Sequence, residues 1–203
     1  MFIGKYNKSV ILTYLGIAFS VAGISLAFAA KAKFAVICLI AAGICDLFDG
    51  TVARRCKRTQ DEKRFGVQID SLCDVVDFLV LPVAICIGSG FTAVWQTAIF
   101  IVYILAGITR LGYFNIIADS DAPVKYYSGL PVTYSALIFS LLWVVSNLFF
   151  KSAAGFVLPI GLAVTALLFV LNIKIPKPGK ASSIVFAVIG AAAVTAMFFI
   201  NNR

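Results

Sequence analysis

The chain has 203 residues, of which 62% are apolar and 13% charged, and its formal net charge is +8. With a mean hydropathy of +1.02, this composition excludes an ordinary water-soluble domain and indicates an integral membrane protein. Histidine is absent and the five cysteines form no Cys-x-x-Cys pair, which excludes a thiolate–imidazole zinc site and histidine-based catalysis. The positive charge fits anionic lipid head groups or a phosphate-bearing substrate rather than nucleic acid, because the cations gather at predicted membrane edges.

Apolar runs predict an all-α bundle of seven membrane-spanning helices. In chain order the predicted spans are residues 9–30, 33–54, 66–87, 91–114, 129–150, 153–173 and 182–201. The run 78–109 is too long for one crossing, and the Ile-Gly-Ser-Gly sequence at 87–90 divides it. We expect a single membrane-embedded catalytic domain over residues 1–203, with a core at 9–173 and an additional C-terminal helix at 182–201.

The positively charged residues predict the orientation of this bundle. A cytoplasmic N-terminus puts 13 Lys and Arg residues inside and 4 outside, the bias expected of short cytoplasmic loops. We therefore expect a multi-pass protein of the cytoplasmic (inner) membrane.

The first span also has one feature of a signal peptide, because Lys5 and Lys8 precede an apolar run that ends in Ala27-Phe28-Ala29. The run is longer than a usual signal core, so we expect it to remain as a span.

Two neighbouring predicted spans carry carboxylates within apolar sequence. Asp46 and Asp49 are three residues apart, and Asp70 and Asp74 are four apart, so each pair occupies one face of its helix. The segment between the helices is long enough only for a turn, which makes the helices antiparallel neighbours. Four carboxylates are then expected to converge on one small volume.

Clustered carboxylates at membrane depth repel one another and favour a cationic partner. A ligand set made only of oxygen suits Mg²⁺, Mn²⁺ or Ca²⁺, and four carboxylates could share two ions. An isolated acidic residue near a helix end often only reaches the interface, but four at helical spacing favour a metal site. For Asp77, three residues after Asp74, three roles stay open: a metal contact, a supporting contact behind the metal ligands, or a contact with a cytoplasmic-side cation.

Small residues lie beside this acidic cluster. Gly50 and Ala53 leave part of the first helix without bulky side chains, and Gly66 does the same on the second helix. Large groups can therefore approach the backbone there. Arg54 beside these small residues is positioned to hold phosphate. A divalent ion, a groove of small residues and an arginine together predict a diphosphate site.

The same residues resemble the signature of the CDP-alcohol phosphotransferase family of integral membrane enzymes. The matching pattern is Asp46-x-x-Asp49-Gly50-x-x-Ala53-Arg54, followed by Gly66-x-x-x-Asp70-x-x-x-Asp74. Eleven residues separate Arg54 from Gly66, where many members have roughly eight. The departure puts the conformation of this connection in doubt, but not the helical spacings.

The family resemblance implies a core of six helices, usually dimeric, that transfers the phosphoryl-bearing half of a CDP-linked lipid or alcohol to a hydroxyl and releases CMP. It implies that Asp46, Asp49 and Asp70 hold the metal, Mg²⁺ or Mn²⁺, and that Asp74 lies next to the metal. It also implies that Asp74 acts as general base. The CDP site would be lined by Gly50, Ala53, Arg54 and Gly66.

Three further segments resemble elements of bacterial and archaeal phosphatidylserine synthases. They are RLGYFNI at 110–116, YYSGLPVTYSA at 126–136 and NIKIPK at 172–177. This resemblance implies CDP-diacylglycerol and L-serine as substrates. Arg110 and Asn115 are the candidate residues for binding substrate, which we favour over the alternative that Arg110 is only an anchor at the membrane edge.

Two alternatives to this function stay open. Another member of the family would use glycerol 3-phosphate or inositol phosphate as acceptor, but residues 110–130 offer only Arg110 and Lys125 for an additional phosphate. A divalent-cation transporter would also carry carboxylates in its helices. It would need acidic residues through the outer half of the membrane, where the predicted spans have none.

Overall fold

A computed structural model of the chain describes residues 3–7, 10–118, 126–176 and 180–199. Eight α-helices occur within these residues. Their bounds are α1 Val10–Phe28, α2 Ala32–Arg55, α3 Gln60–Asp74, α4 Leu81–Gly88, α5 Val94–Ala118, α6 Tyr134–Phe149, α7 Ala154–Val170 and α8 Lys180–Phe199. A π-helical turn, Val75–Val80, joins α3 to α4, so the two form one continuous span.

Five of the helical segments are long and apolar enough to cross a membrane. They are α1, α2, the continuous segment Gln60–Gly88, α5 and the segment Lys151–Val170, which includes α7. Helix α6 and the described stretch Val185–Phe199 of α8 are apolar but shorter. The predicted all-α, polytopic membrane fold is confirmed.

The predicted start of the third span at residue 66 is wrong, because α3 begins at Gln60. Thr59 and Glu62 form a capping box there. The Glu62 backbone N–H donates to Thr59 Oγ1 at 3.2 Å, and the Thr59 N–H donates to the Glu62 carboxylate at 2.7 Å. These bonds satisfy backbone donors that a helix start leaves open, so only residues 56–59 connect α2 to α3.

The fifth span starts later than predicted, at Tyr134 rather than at residue 129. Gly129 has a left-handed φ of 78°, and Pro131 lacks the N–H that a helix interior requires. The Gly129 N–H instead donates to the Ile173 carbonyl at 2.9 Å. Two short antiparallel strands that the sequence did not predict, β1 Tyr126–Ser128 and β2 Lys174–Pro176, flank this contact.

Helix packing determines where the acidic faces meet. Helix α1 packs along α2, and α5 packs along α7, around a buried apolar core. Helix α2 contacts the π-turn and α4, whereas α3 packs on α1. The two acidic helices are therefore held side by side through α1, which packs on both, and through the π-turn that follows α3 and contacts α2. We call the end of the bundle where α2 ends and α3 begins the acidic end.

Candidate active site

Three carboxylates meet between α2 and α3 near the acidic end. One carboxylate oxygen from each of Asp46, Asp49 and Asp70 lies within 4.8 Å of the other two. All three residues are half-buried. The fourth member of the predicted cluster, Asp74, ends α3 and is in side-chain contact with Asp46. We call these four residues the aspartate cluster.

The aspartate cluster has the chemistry of a divalent-cation site. Asp70 Oδ1 is shielded from solvent and has no hydrogen-bond donor among the residues that the structure describes. A buried carboxylate oxygen without a donor is costly, and repulsion from the neighbouring carboxylates adds to that cost. Oxygen ligands from several carboxylates are the set that Mg²⁺ and Mn²⁺ take. The residues present therefore fit such an ion.

Two threonines hold the outer oxygens of the cluster, and the sequence analysis identified neither. Thr13 on α1 donates from Oγ1 to Asp49 Oδ2 at 3.2 Å. The Thr133 side chain, just before α6, hydrogen-bonds the Asp46 carboxyl. The cluster is thus supported by four elements of the bundle, because α1 and the start of α6 orient ligands that α2 carries.

A glycine on each acidic helix is covered by an arginine guanidinium. Arg54 Nη1 lies 3.5 Å from the position that a Cβ would take on Gly50. Arg58 Nη1 lies 3.8 Å from the corresponding position on Gly66. Both distances are ordinary van der Waals contacts. A ligand can therefore reach the surface of each glycine next to the guanidinium. Arg58 was not among the predicted site residues.

The orientation of Arg54 is partly fixed by its own helix. Its Nη2 donates to Thr51 Oγ1 at 3.1 Å, one turn earlier. Ala53 is half-buried beside it, whereas the Arg54 side chain is exposed. The guanidinium therefore lies at the rim of the site, where it can meet a charged ligand that arrives from water.

The π-turn immediately follows Asp74 and is held by two hydroxyl groups from other helices. The Phe78 carbonyl accepts a hydrogen bond from the Tyr103 hydroxyl of α5 at 2.6 Å. It accepts a second one from Ser135 Oγ of α6 at 3.0 Å. Turns of this type are frequent at functional sites because they interrupt the α-helical repeat. Here the interruption begins at the carboxylate that the family resemblance makes the base.

The π-turn also determines what Asp77 contacts. Its Oδ2 lies 2.9 Å from the position of a Cβ on Gly16, and its carboxyl is beside Ser20 of the same helix, α1. Asp77 is 3% exposed. It is absent from the group of oxygens within 4.8 Å of one another. Of the three roles left open for Asp77, this position favours a supporting contact behind the cluster.

Helix α5 brings Asn115 and Arg110 to the same end of the bundle. Asn115 Nδ2 donates to Ser71 Oγ at 2.9 Å, next to Asp70. Arg110 is 7% exposed, and its guanidinium lies 4.9 Å from the centre of the Phe114 ring. Arg110 lines a cavity of 280 Å³ between α5 and the end of α7, together with Thr109, Tyr113, Phe169, Val170, Leu171 and Asn172.

Two hydrogen bonds relate the depth of this cavity to that of the aspartate cluster. The bonds Ser71–Asn115 and Phe78–Tyr103 join the third span to α5 at two levels. Asp74 lies between Ser71 and Phe78 along its span, and Arg110 lies between Tyr103 and Asn115 along α5. Arg110 and Asp74 are therefore at similar depths in the bundle.

Comparison with known proteins gives one consistent family. The profile of the CDP-alcohol phosphatidyltransferase family matches residues 6–170, which include α1 to α7 but not α8. A CDP-diacylglycerol–serine O-phosphatidyltransferase of Helicobacter pylori is 30% identical over 75% of this chain and 65% of its own length. An archaetidylserine synthase of Methanothermobacter thermautotrophicus is 32% identical over 70% of this chain and 58% of its own.

A CDP-diacylglycerol–serine O-phosphatidyltransferase of Saccharomyces cerevisiae is 35% identical over 51% of this chain and 39% of its own length. The chain thus spans less than two thirds of each of these three relatives. The family match covers both acidic helices and most of the bundle around them. The chain belongs to the CDP-alcohol phosphatidyltransferase family.

Proposed function

We propose that the protein is a phosphatidylserine synthase, which transfers the phosphatidyl group of CDP-diacylglycerol to the hydroxyl of L-serine and releases CMP. The observation that carries the proposal is the meeting of Asp46, Asp49 and Asp70 within 4.8 Å, with Asp74 in contact. The names of the relatives support serine as the acceptor. We also propose that residues 1–203 form one catalytic domain.

The nucleotide half of the substrate binds along the small residues beside the cluster. Gly50, Ala53 and Gly66 let the diphosphate and the cytidine approach the backbone, while Arg54 offers a guanidinium for phosphate. The exposed position of Arg54 supports this role, since the nucleotide arrives from water and the lipid tails stay in the membrane. The site therefore has to lie where the two environments meet.

In the transfer step, the serine oxygen attacks the lipid-side phosphorus of CDP-diacylglycerol, and the bond from that phosphorus to the CMP oxygen breaks. A serine hydroxyl is a weak nucleophile unless a base removes its proton. We assign that proton to the Asp74 carboxylate, which becomes protonated as the new phosphorus–oxygen bond forms. The electron pair of the broken bond leaves with CMP.

The metal of this site is proposed as Mg²⁺ or Mn²⁺, held by Asp46, Asp49, Asp70 and Asp74, with Ca²⁺ as a possible occupant. When bound, one or two such ions supply positive charge to the diphosphate and to the departing CMP. Thr13 and Thr133 are neutral. They hold the Asp49 and Asp46 carboxylates in place by donating hydrogen bonds to them.

The cavity at Arg110 is the proposed serine site. A guanidinium binds a carboxylate well, and Arg110 lies at a depth similar to that of Asp74, the proposed base. Asn115 would support the same region through its hydrogen bond to Ser71. Lys125, the other cation considered for an acceptor phosphate, lies outside the described residues.

We further propose that the acidic end faces the cytoplasm in the inner membrane and that the protein is a homodimer. The predicted cytoplasmic excess of Lys and Arg supports the orientation. The family resemblance supports the dimer.

The Gly50→Ala variant tests the CDP site. The added Cβ meets only the Arg54 guanidinium, at 3.5 Å, so the fold should tolerate it, while the methyl group occupies space that the diphosphate needs. We expect the KM for CDP-diacylglycerol to rise about tenfold and the melting temperature in detergent to stay unchanged. Gly112→Ala on α5, where a Cβ meets nothing within 4 Å, is the control for both measurements. An unchanged KM in Gly50→Ala would remove Gly50 from the CDP site.

The acceptor is tested with purified protein in detergent, supplied with CDP-diacylglycerol and Mn²⁺. Serine, glycerol 3-phosphate and inositol phosphate are offered separately, and CMP is measured. We expect CMP release with serine and none with glycerol 3-phosphate or inositol phosphate. Release only with one of the phosphorylated acceptors would assign the chain to another activity of the same family.

A further inference from the structure

We propose that Arg58, in the connection between α2 and α3, is a second phosphate ligand of this site and binds the CMP-side phosphate of the substrate. The proposal rests on the function proposed above and adds a residue that lies outside the family signature. Arg58 lies in the stretch of eleven residues between Arg54 and Gly66, which is longer than the spacing of roughly eight in many family members. It would therefore be a feature of this chain rather than of the signature.

The first observation is that the backbone around Arg58 is held in place. The Lys57 carbonyl accepts a hydrogen bond from Asn7 Nδ2 at 3.1 Å, and Thr59 caps α3. The N-terminal segment makes two further contacts, an ion pair of Lys5 with Asp61 at 3.7 Å and an edge-on contact of Tyr6 with Phe65 at 5.4 Å. The connection is therefore anchored on both sides of Arg58, which fixes where the Arg58 side chain leaves the backbone.

The second observation concerns the burial and the hydrogen bonding of the Arg58 side chain. It is half-buried, and its Nε is shielded from solvent with no hydrogen-bond acceptor among the described residues. Glu62 interacts electrostatically with Arg58, but its carboxylate already accepts hydrogen bonds from the Thr59 N–H at 2.7 Å and from Thr59 Oγ1 at 3.1 Å. A buried N–H group usually has an acceptor, so an arriving anion would supply the acceptor that Nε lacks among the described residues.

The third observation is what the guanidinium faces. Arg58 Nη1 is 3.8 Å from the Cβ position of Gly66, and Gly66 is one helical turn before the metal-site residue Asp70. Arg54 covers Gly50 in the same way at 3.5 Å, directly after Asp49. The two acidic helices thus share one arrangement. Each has a glycine near an aspartate of the cluster, and an arginine guanidinium contacts the surface of that glycine.

The chemistry of the ligand follows from this arrangement. Guanidinium groups bind phosphate oxygens with two parallel hydrogen bonds, and the substrate carries two adjacent phosphates. Arg58 lies on the connection at the acidic end, away from the membrane core, so it should meet the phosphate that remains with the nucleotide. That phosphate stays on CMP after transfer. Arg58 should therefore stabilise the substrate complex and the CMP complex alike.

The test compares the binding of CMP and of cytidine to the full chain in detergent with Mn²⁺, by isothermal titration calorimetry. We expect Arg58→Gln to weaken CMP binding about tenfold, the loss typical of one charge-assisted hydrogen-bonding group, and to leave cytidine binding unchanged. Arg58→Lys, which keeps the charge but loses the paired donors, should lose less. Lys57→Gln is the matched control, since it removes one charge from an exposed neighbour and should bind CMP as the wild type does.

Three outcomes would overturn the proposal, and they are distinguishable. Wild-type CMP affinity in Arg58→Gln would remove Arg58 from the site and leave the proposed function intact. An equal loss for cytidine and CMP would assign Arg58 to the base or to the shape of the site rather than to phosphate. A wild-type protein that binds neither CMP nor CDP-diacylglycerol would contradict the proposed function itself, and Arg58 with it.

Discussion

Replacement of Asp74 by asparagine should lower the rate of CMP release about 100-fold to 10,000-fold, the range that a general base contributes. The amide cannot take the proton of the serine hydroxyl, but it has nearly the size of the carboxylate. CDP-diacylglycerol should therefore still bind. Turnover is measured as CMP release at saturating serine, and binding by calorimetry with CDP-diacylglycerol in detergent.

Asp77→Asn is the control for this experiment. Asp77 is also buried and lies three residues from Asp74, but its carboxyl is beside Gly16 and Ser20 of α1 rather than in the aspartate cluster. We expect Asp77→Asn to keep most of the turnover. Unimpaired CMP release in Asp74→Asn would exclude Asp74 as the base, and an equal loss in both variants would indicate a structural effect.

Asp70→Asn should have two effects of opposite sign. Without metal, it removes one of several mutually repelling carboxylates, including an Oδ1 that has no donor among the described residues. The metal-free protein should therefore melt at a higher temperature, by about 2–4 °C for each 1 kcal/mol gained. With Mn²⁺, the variant should lose the stabilisation that the wild type gains from binding.

Asp61→Asn is the control for Asp70→Asn. Asp61 is on the same helix, but its side chain is 68% exposed and pairs with Lys5 at 3.7 Å. We expect it to change neither melting curve by a comparable amount, since exposed ion pairs contribute little. If Mn²⁺ stabilised Asp70→Asn as much as the wild type, Asp70 would not be a metal ligand.

The sequence predicted the helical fold and the membrane class because both depend on composition and on the length of apolar runs. It also predicted which faces of α2 and α3 carry acids, since spacings of three and four residues are local properties of a helix. The structure adds that one oxygen from each of Asp46, Asp49 and Asp70 meets within 4.8 Å.

The start of α3 could have been predicted but was not. Thr59 and Glu62 have the spacing of a capping box, but a prediction based on apolar runs places the charged residues around them in a loop. The same prediction gives no reason to place Arg58 at the site, whereas the structure has it in a connection of four residues, 56–59.

Other features of the site depend on contacts between distant parts of the chain. Thr13 and Asp49 are 36 residues apart, and a single threonine in an apolar helix gives no indication of its partner. The π-turn depends on Tyr103 and Ser135, which donate to the Phe78 carbonyl from two other helices. Local sequence propensity does not predict such a turn, because the hydrogen bonds that support it come from distant residues.

Metal dependence of the transfer tests whether the aspartate cluster holds a divalent cation on which the reaction depends. Purified wild-type protein is treated with EDTA, passed into metal-free buffer and given CDP-diacylglycerol and serine, and CMP is measured before and after Mn²⁺ or Mg²⁺ is added. We predict no CMP release without metal and recovery of the full rate with it. The same rate with and without metal would show that the transfer needs no divalent cation in the aspartate cluster.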